Sequence, residues 1–265
     1  MSKFVSGAQC LAQAAVASGV TVVTGYPGSP ATAVVNAILA STKPDEVQVQ
    51  WTSNEKAAIE IAFGASLGGR RALLAVKSVG LNIALDPLMT MNLSGCNAGF
   101  VILVGDDPGS WGSQNEQDSR VLSALTELPW LEPTTAPDAY AAMRYAYGLS
   151  EEMGLPIVIR ITRALALAET EAESLAIRHK RDRDITDLGP PPIFQREFMR
   201  WVVLPINVVE YHERLLEKID DVGARFETSG FNQTQGAGTQ GVITAGFAYQ
   251  KLLDLVNGEL PLSWK

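Results

Sequence analysis

The first 163 residues alternate short apolar runs with longer helical segments, and this alternation constrains the fold more than any other feature of the chain. Six runs are predicted to be strands: residues 20–24, 47–51, 72–76, 100–104, 131–135 and 156–161. Strands that are separated by helices pair in parallel, and their helices cover both faces of the sheet. The run 100–104 is apolar throughout, which is typical of a central strand. The sequence therefore predicts a doubly wound, mostly parallel six-stranded α/β domain over residues 1–165.

Helices are predicted between these strands, at residues 9–18, 31–42, 52–67, 82–93, 117–128 and 138–153. Two of their N-termini carry recognisable signals. Ser29 before Pro30 is typical of an N-cap residue followed by proline at the first helical position. Thr52 and Glu55 have the spacing of a capping box, which is one of two interpretations of Glu55.

Beyond residue 165 the alternation stops. Residues 169–187 are charged and lack a strong period, and residues 189–192 form a stiff Gly-Pro-Pro-Pro segment. Residues 207–226 predict an amphipathic helix, and residues 242–245 predict a strand that leads through Gly246 into a helix. A single βα unit cannot bury its own apolar face. The prediction is a linker at 166–205 and a helix plus partial βα unit at 206–265, forming an extended arm that docks on the domain or on a partner.

Charge and composition exclude several classes of function. The net charge is −8 and the isoelectric point is near 4.9, which argues against nucleic acid or an anionic membrane as a partner. The sequence has no apolar run of about 18 residues and no signal-peptide pattern, so a cytoplasmic protein without membrane insertion is expected. Cys10 and Cys96 are too few for an iron–sulfur cluster, which needs about four cysteine ligands.

Polar or glycine-bearing loops follow three of the predicted strands. They cover residues 25–32, 77–82 and 106–120, and Glu55 follows a fourth strand at the start of a helix. Ligands of open α/β sheets gather at the carboxyl ends of the strands, so these segments are expected to lie on one rim. Taken alone, each segment also fits a plain turn, a helix cap or an exposed polar loop.

Four blocks of the sequence resemble the pyrimidine-binding domain of thiamine-diphosphate-dependent 2-oxoacid:ferredoxin oxidoreductases. They are residues 25–32 (Gly-Tyr-Pro-Gly-Ser-Pro-Ala-Thr), 54–58 (Asn-Glu-Lys-Ala-Ala), 76–88, and 105–108 with 113–120. The resemblance is greatest to the N-terminal part of the large subunit of the indolepyruvate ferredoxin oxidoreductase family. It covers nearly the whole chain and is best over residues 1–165.

The resemblance implies a catalytic role for Glu55. In the family, a glutamate at this position hydrogen-bonds to N1′ of the aminopyrimidine and thereby promotes loss of the proton from C2 of the thiazolium. This chemistry needs a carboxyl that exchanges a proton with its partner in an apolar pocket. Helix capping is the other interpretation of this residue.

The resemblance also implies the residues around cofactor and substrate. Besides Glu55, the expected cofactor contacts are Tyr26, Pro27, Gly28, Gly80 and Asn82. The expected substrate contacts are Ser29, Thr32, Lys77, Ser78, Trp111, Gln114 and Asn115. Because glycine has no side chain, Gly28 is expected to leave room for an aryl or otherwise bulky 2-oxoacid.

Only half of a thiamine diphosphate site is expected on this chain. In the family, Mg²⁺ and the diphosphate are held through a Gly-Asp-Gly motif followed by Asn-Asn, and the sequence has neither. The expected protein is one subunit of a heteromeric oxidoreductase that converts a 2-oxoacid and CoA to an acyl-CoA. A partner subunit is expected to carry the diphosphate and Mg²⁺ site, and a partner the iron–sulfur clusters that pass electrons to ferredoxin. No metal site is expected on this chain.

Two departures from the family keep alternatives open. The family has histidine where Ser78 stands and a second histidine where Trp111 stands, whereas His179 and His212 fall in the predicted linker and charged helix. A non-oxidative thiamine-dependent decarboxylase or carboligase is therefore the first alternative. A non-catalytic scaffold subunit is the second, and Glu55 argues against it.

Overall fold

The computed structural model describes residues 3–173 and 189–264. Its strands are β1 (Phe4–Ser6), β2 (Val22–Gly25), β3 (Gln48–Trp51), β4 (Ala72–Lys77), β5 (Phe100–Asp106), β6 (Trp130–Leu131), β7 (Ile157–Thr162) and β8 (Glu169–Glu171). Strands β2 to β7 form one parallel sheet of six strands in the order β3-β2-β4-β5-β7-β6. The predicted six-stranded α/β domain is confirmed.

The helices are α1 (Gly7–Ala17), α2 (Ala31–Ser41), α3 (Glu55–Leu67), α4 (Ser78–Ser94), α5 (Val121–Thr126), α6 (Ala136–Met153), α7 (Arg163–Leu167), α8 (Phe198–Trp201), α9 (Val208–Thr228) and α10 (Gly246–Leu255). Helices α1, α2 and α6 pack on one face of the sheet, and α3 and α4 pack on the other. Each face of the sheet has its own hydrophobic core, and strand β4 contributes to both. Leu73 and Ala75 pack in the core on the first face, and Leu74 and Val76 pack in the core on the second. Burial on both faces explains why central strands have apolar residues at every position.

The parallel register places several chain segments on one edge of the sheet. Gly25 pairs with Trp51, Lys77 pairs with Gly105, and Asp106 pairs with Thr162. The carboxyl ends of β2, β3, β4, β5 and β7 therefore form a single edge, called the rim below. The loops predicted to meet there do follow these strand ends.

Two predicted helix caps are wrong. Helix α2 begins at Ala31 as predicted, but Pro30 takes the N-cap position and no side chain caps the helix, so Ser29 is not its N-cap. Helix α3 begins at Glu55 and is capped by Asn54, whose Oδ1 accepts from the backbone N–H of Ala57 at 2.9 Å. The capping box of Thr52 and Glu55 does not form, because Asn54 is the better-placed acceptor for the first turn.

Helix α4 starts earlier than its predicted boundary, directly after β4, and it continues through Pro87. Ser78, Gly80 and Asn82 therefore lie in its first turns instead of in a loop. Strand β6 and helix α5 are shorter than predicted, and β1 and β8 form a small antiparallel ribbon that was not predicted. A strand of three residues is too short for a readable period, which explains that omission.

The predicted helix at 207–226 is confirmed as α9, which buries Tyr211, Leu215 and Val222. The predicted strand at 242–245 is wrong: these residues pair with no strand among the described residues, and Ile243 is fully exposed. Helix α10 follows, and Gly246 at its start lies against Glu132 next to β6. Most of the predicted charged linker, including His179, lies outside the described residues.

Candidate functional site

Glu55 lies on the rim at the first position of α3. Its side chain is partly buried, and the described structure gives its carboxylate no hydrogen-bond partner. The carboxylate lies against Gly80 of α4, where an added Cβ would stand only 2.5 Å from Oε1 of Glu55. Any side chain at position 80 would therefore displace the carboxylate. Capping does not occupy Glu55, so it is available to a ligand.

The first turns of α4 form the second wall of the site. Ser78 is buried, and its carbonyl accepts from Nε2 of Gln117 at 3.4 Å. Asn82 and Gln117 exchange two amide hydrogen bonds of 2.8 and 2.9 Å. Gln117 was not among the predicted site residues, although it stands in one of the blocks that carry the resemblance. It ties the long loop after β5 to the helix that carries Gly80.

The loop after β2 is closed by its own side chain. Oγ1 of Thr32 accepts from the backbone N–H of Gly28 at 2.7 Å and donates to its carbonyl. A Cβ on Gly28 would lie 2.6 Å from Cδ of Lys77, so the methylene stem of Lys77 fills the space beside Gly28. The expectation that Gly28 leaves room for a bulky substrate stays a prediction, and any such room would depend on where the Lys77 stem lies. Glycine is needed there so that Lys77 can cross the loop.

The outward side of the same loop is open. Tyr26 is 42% exposed, and Pro27 and Ser29 are exposed. The hydroxyl of Ser29, which was expected to compete between a helix cap and a substrate, has no partner among the residues described. Ser29 is thus available to a ligand, while Thr32 is used within the protein.

The long loop after β5 is anchored at its base by a buried carboxylate. Oδ1 of Asp106 accepts from Oγ of Ser119 at 2.6 Å, and Oδ2 accepts from the backbone N–H of Ser119 at 2.9 Å. Nε of Arg160 donates to Oδ2 of Asp106 at 2.7 Å, and Arg160 also pairs with Glu132. Asp106 is fully buried and Arg160 is 4% exposed. A buried carboxylate needs such a partner, so Arg160 stabilises the Asp106 carboxylate, which joins the two ends of the loop.

A second anchor shapes the tip of this loop. Oδ2 of Asp107 accepts from the backbone N–H of Gly112 at 2.6 Å. Gly112 lies next to Ser29, whose Cβ is 4.0 Å from where a Cβ on Gly112 would stand. Trp111 at the tip is 77% exposed. Gln114 and Asn115 are exposed on the outer part of the loop, away from any recorded contact with Glu55.

The structure therefore brings most of the predicted site residues to one rim. Glu55, Gly80 and Asn82 form one group, and Gly28, Ser29, Thr32 and Lys77 form a second group beside it. Gly112, the residue after Trp111, lies beside Ser29 of the second group. Gln114 and Asn115 are the predicted residues that the structure does not bring to these two groups. Their proposed roles toward ligands stay predictions.

Comparison with known proteins places the chain in a family. Residues 13–217 match the family described as pyruvate flavodoxin/ferredoxin oxidoreductase, thiamine diphosphate-binding. The chain belongs to this family. The matched residues include Glu55, Gly80 and all three loops on the rim, so the predicted resemblance is confirmed.

Curated relatives share this sequence over nearly its full length. Indolepyruvate oxidoreductase subunit IorA of Archaeoglobus fulgidus is 32% identical over 277 residues, which cover 98% of this chain and 42% of that protein. The protein of the same name from Pyrococcus abyssi is 32% identical over 245 residues, covering 92% and 37%. The chain thus spans about two fifths of the length of the curated relatives it matches.

A solved structure shows the same fold. It is a 2-oxoglutarate:ferredoxin oxidoreductase from Magnetococcus marinus with 2-oxoglutarate, coenzyme A and succinyl-CoA bound. The TM-score is 0.69 at 16% identity, over 97% of this chain and 52% of that one. At this identity the likeness establishes the α/β architecture and nothing further.

The residues on the rim fit the aminopyrimidine half of thiamine diphosphate. Glu55 offers a carboxyl with no hydrogen-bond partner among the described residues, and Gly80 leaves the space that this carboxyl occupies. In residues 3–173 and 189–264 no group of three or more His, Cys, Asp or Glu is arranged to hold a metal ion. The Mg²⁺ and diphosphate site on a partner remains a prediction. Across the same residues, no helix is long and apolar enough to span a membrane.

Proposed function

We propose that this chain supplies the aminopyrimidine-binding half-site of a heteromeric thiamine-diphosphate-dependent 2-oxoacid oxidoreductase. The observation that carries the proposal is the carboxyl of Glu55, which stands on the rim against Gly80 with its hydrogen-bonding capacity unused. The family of the chain is thiamine-diphosphate-binding, and its relatives are named as indolepyruvate oxidoreductase subunits. We propose the same class of reaction here, in which a 2-oxoacid is oxidatively decarboxylated to an acyl-CoA.

Glu55 acts in this proposal as a proton-holding partner of N1′. When bound, thiamine diphosphate would supply the nucleophilic carbon for the 2-oxo group and would accept the electron pair that stays behind when CO₂ departs. Glu55 keeps a hydrogen bond to N1′, while Gly80 and the first turn of α4 fix the position of its carboxylate. Proton transfer at a positioned carboxyl contributes about 10²- to 10⁴-fold to a rate.

Lys77 and Ser29 provide the side of the site that meets the substrate. The methylene stem of Lys77 packs against Gly28, and this contact restricts where its ammonium group can lie on the rim. No ion pair of Lys77 is recorded in the described ranges, and Ser29 carries an unused hydroxyl beside it. An ammonium and a hydroxyl suit the carboxylate of a 2-oxoacid. The names of the relatives support an aryl substrate, whereas the space beside Gly28 does not.

Partner subunits complete the enzyme in this proposal. The chain spans about two fifths of the length of its curated relatives, and its described residues hold no group of His, Cys, Asp or Glu arranged to bind a metal ion. We assign the Mg²⁺ and diphosphate site to one partner and the iron–sulfur clusters to a partner that passes electrons to a low-potential acceptor. The assembled enzyme would act in the cytoplasm.

The test is reconstitution of this chain with the proteins that co-purify with it. The expected result is release of CO₂ from a 2-oxoacid, coupled to acyl-CoA formation and to reduction of a ferredoxin-like acceptor, all dependent on thiamine diphosphate. Release of an aldehyde or a ligated product without reduction of the acceptor would favour the non-oxidative alternative. That alternative is kept because Ser78 is buried and Trp111 is exposed where the family has histidines. A stable complex with no turnover of any 2-oxoacid would indicate a scaffold.

A further inference from the structure

Arg163 is a rim residue that no motif marks. It is the first residue of α7 and follows Thr162, the last residue of β7. Strand β7 lies two strands away from β4 in the sheet order. With neighbouring strands about 4.8 Å apart, the backbone of Arg163 stands roughly 10 Å along the rim from the end of β4. That is within the length of a 2-oxoacid and an arginine side chain.

The guanidinium of Arg163 faces an aromatic ring instead of a carboxylate. It lies 5.9 Å from the centre of the Trp111 ring, and no ion pair or hydrogen bond of Arg163 is recorded in residues 3–173 and 189–264. Arg160, three residues earlier, is buried and paired with Asp106 and Glu132. Arg120, on the neighbouring loop, is paired with Asp118 at 2.6 Å. Of these three arginines on the same side of the sheet, Arg163 is the one that keeps its N–H groups for another partner.

Hydrogen bonds within the long loop after β5 fix the backbone next to Trp111, the residue whose ring lies under Arg163. Asp106 closes the base of the loop on Ser119, and Asp107 fixes the backbone of Gly112, next to Trp111. The same turn lies beside Ser29 on the short loop. The ring of Trp111 is exposed, so its position is not explained by burial in the core. A guanidinium held over a ring keeps its planar edge free, and this edge matches a carboxylate with two parallel hydrogen bonds.

We propose that Arg163 binds a carboxylate of the substrate and thereby determines specificity, with Trp111 holding the guanidinium in place. This role rests on the proposed function, because it concerns the 2-oxoacid of the same site. Two carboxylates share this chemistry. One is the carboxylate next to the oxo group, which every 2-oxoacid has, and the other is the carboxylate at the far end of a dicarboxylic 2-oxoacid.

The test uses the reconstituted complex with two probes, indolepyruvate and 2-oxoglutarate. Arg163→Gln should raise KM by about 10- to 100-fold for a probe whose carboxylate it binds, the range expected for loss of a hydrogen bond between charged groups. The kcat and the affinity for thiamine diphosphate should change little. Arg163→Lys should raise KM less than Arg163→Gln does, because lysine keeps the positive charge but lacks the paired N–H donors of the guanidinium. Trp111→Ala should also raise KM, but less than Arg163→Gln, because it removes the ring under the guanidinium and leaves the charge in place.

A binding measurement separates this role from a structural one. In a Glu55→Gln background, where turnover should be about two to four orders of magnitude slower, the dissociation constant of each probe is measured directly. Arg163→Gln should raise it by the same factor as KM. The matched control is Arg214→Gln on α9, since Arg214 also stands over a ring, that of Tyr211, at 5.8 Å. This control should leave both constants unchanged.

The outcomes distinguish the two carboxylates and the two proposals. Equal losses for both probes assign Arg163 to the carboxylate next to the oxo group, and a loss for 2-oxoglutarate alone assigns it to the distal carboxylate. Unchanged KM and dissociation constants for both probes, with an active wild-type complex, overturn the role of Arg163. A wild-type complex that neither binds nor consumes either probe overturns the proposed function instead, and this role with it.

Discussion

The two halves of the rim are held in place by different interactions. The half around Glu55 relies on glycines and close contacts: Gly80 lies against the carboxylate of Glu55, and Gly28 lies against the stem of Lys77. The half around the long loop relies on charge, because Arg160 is buried between the carboxylates of Asp106 and Glu132. The first half leaves the carboxyl of Glu55 without a partner, whereas in the second half the carboxylates of Asp106 and Glu132 both pair with Arg160.

This difference teaches which residues are available for chemistry. A carboxylate that is already paired with a buried arginine cannot exchange that partner for a ligand without a large loss of free energy. Asp106 and Glu132 are therefore structural residues, although they lie close to the rim. Glu55 has no such partner, so a change there should alter catalysis while a change at Arg160 should alter stability.

The largest expected effect is on the unused carboxyl. Glu55→Gln should slow exchange of the C2 proton of thiamine diphosphate by about two to four orders of magnitude in the assembled complex, because glutamine cannot hold the proton for N1′. Assembly should be unaffected, since Asn54 and not Glu55 caps α3. Proton exchange is followed by NMR after rapid acid quench. An exchange rate near that of the wild type would show that Glu55 is not the catalytic carboxyl.

Breaking the ion pairs of Arg160 should instead lower the free energy of unfolding. Arg160→Met leaves Asp106 buried without its partner, which costs about 3–5 kcal/mol of the free energy of unfolding. Urea denaturation of the purified chain measures this loss. The matched control is the double variant Asp106→Asn with Arg160→Met, in which the uncompensated charge is removed and part of the stability should return. A loss below about 1 kcal/mol in the single variant would mean that water reaches this ion pair.

Gly80→Ala tests whether the close contact positions the carboxylate. A Cβ at this position would stand 2.5 Å from Oε1 of Glu55, so the carboxylate must move. A displacement of about 1 Å at a reacting group can cost about 100-fold in rate. Stability should not fall, since alanine favours a helix interior over glycine by about 1 kcal/mol. The paired measurements are kcat of the complex and the urea midpoint of the chain, and a full rate would show that the contact has no catalytic role.

Much of the half of the rim around Glu55 could be predicted from the sequence. Apolar runs separated by helical segments determine a parallel sheet, and the parallel sheet brings the segments after its strands to one rim. The position of Glu55 followed from this rule together with the resemblance. What the sequence could not show is that Asn54 would take over the cap, because both Thr52 and Asn54 have side chains able to accept a hydrogen bond.

The charged half was harder to predict. Asp106 and Arg160 are 54 residues apart, and no local pattern indicates that they form a pair. The strand expected at 242–245 illustrates the same limit. A short apolar run next to a glycine predicts a strand, but the pattern does not show whether another strand is there to pair with it. Arg163 follows the rule that sites lie after strands, but it carries no motif. Such residues are found only once the strand order is known.

The smallest effect is expected at the exposed end of the charged half. Hydrogen bonding to Arg120 lowers the pKa of Asp118 to about 2 from its ordinary value of 3.8. Because the pKa is lowered in the folded state, the contribution to stability is present above about pH 4 and is lost as the pH falls toward 2. Asp118 is nearly half exposed, so solvent screening keeps this contribution below about 1 kcal/mol. Asp118→Asn should therefore lower the urea midpoint slightly at pH 7, and 1 M NaCl should shrink the difference.

Arg120→Gln is the matched control, and it should return the NMR titration midpoint of Asp118 toward 3.8. A midpoint that stays near 2 in this variant would assign the shift to Arg160, which lies 3.7 Å from Asp118, and would extend the buried charge network to the surface of the loop.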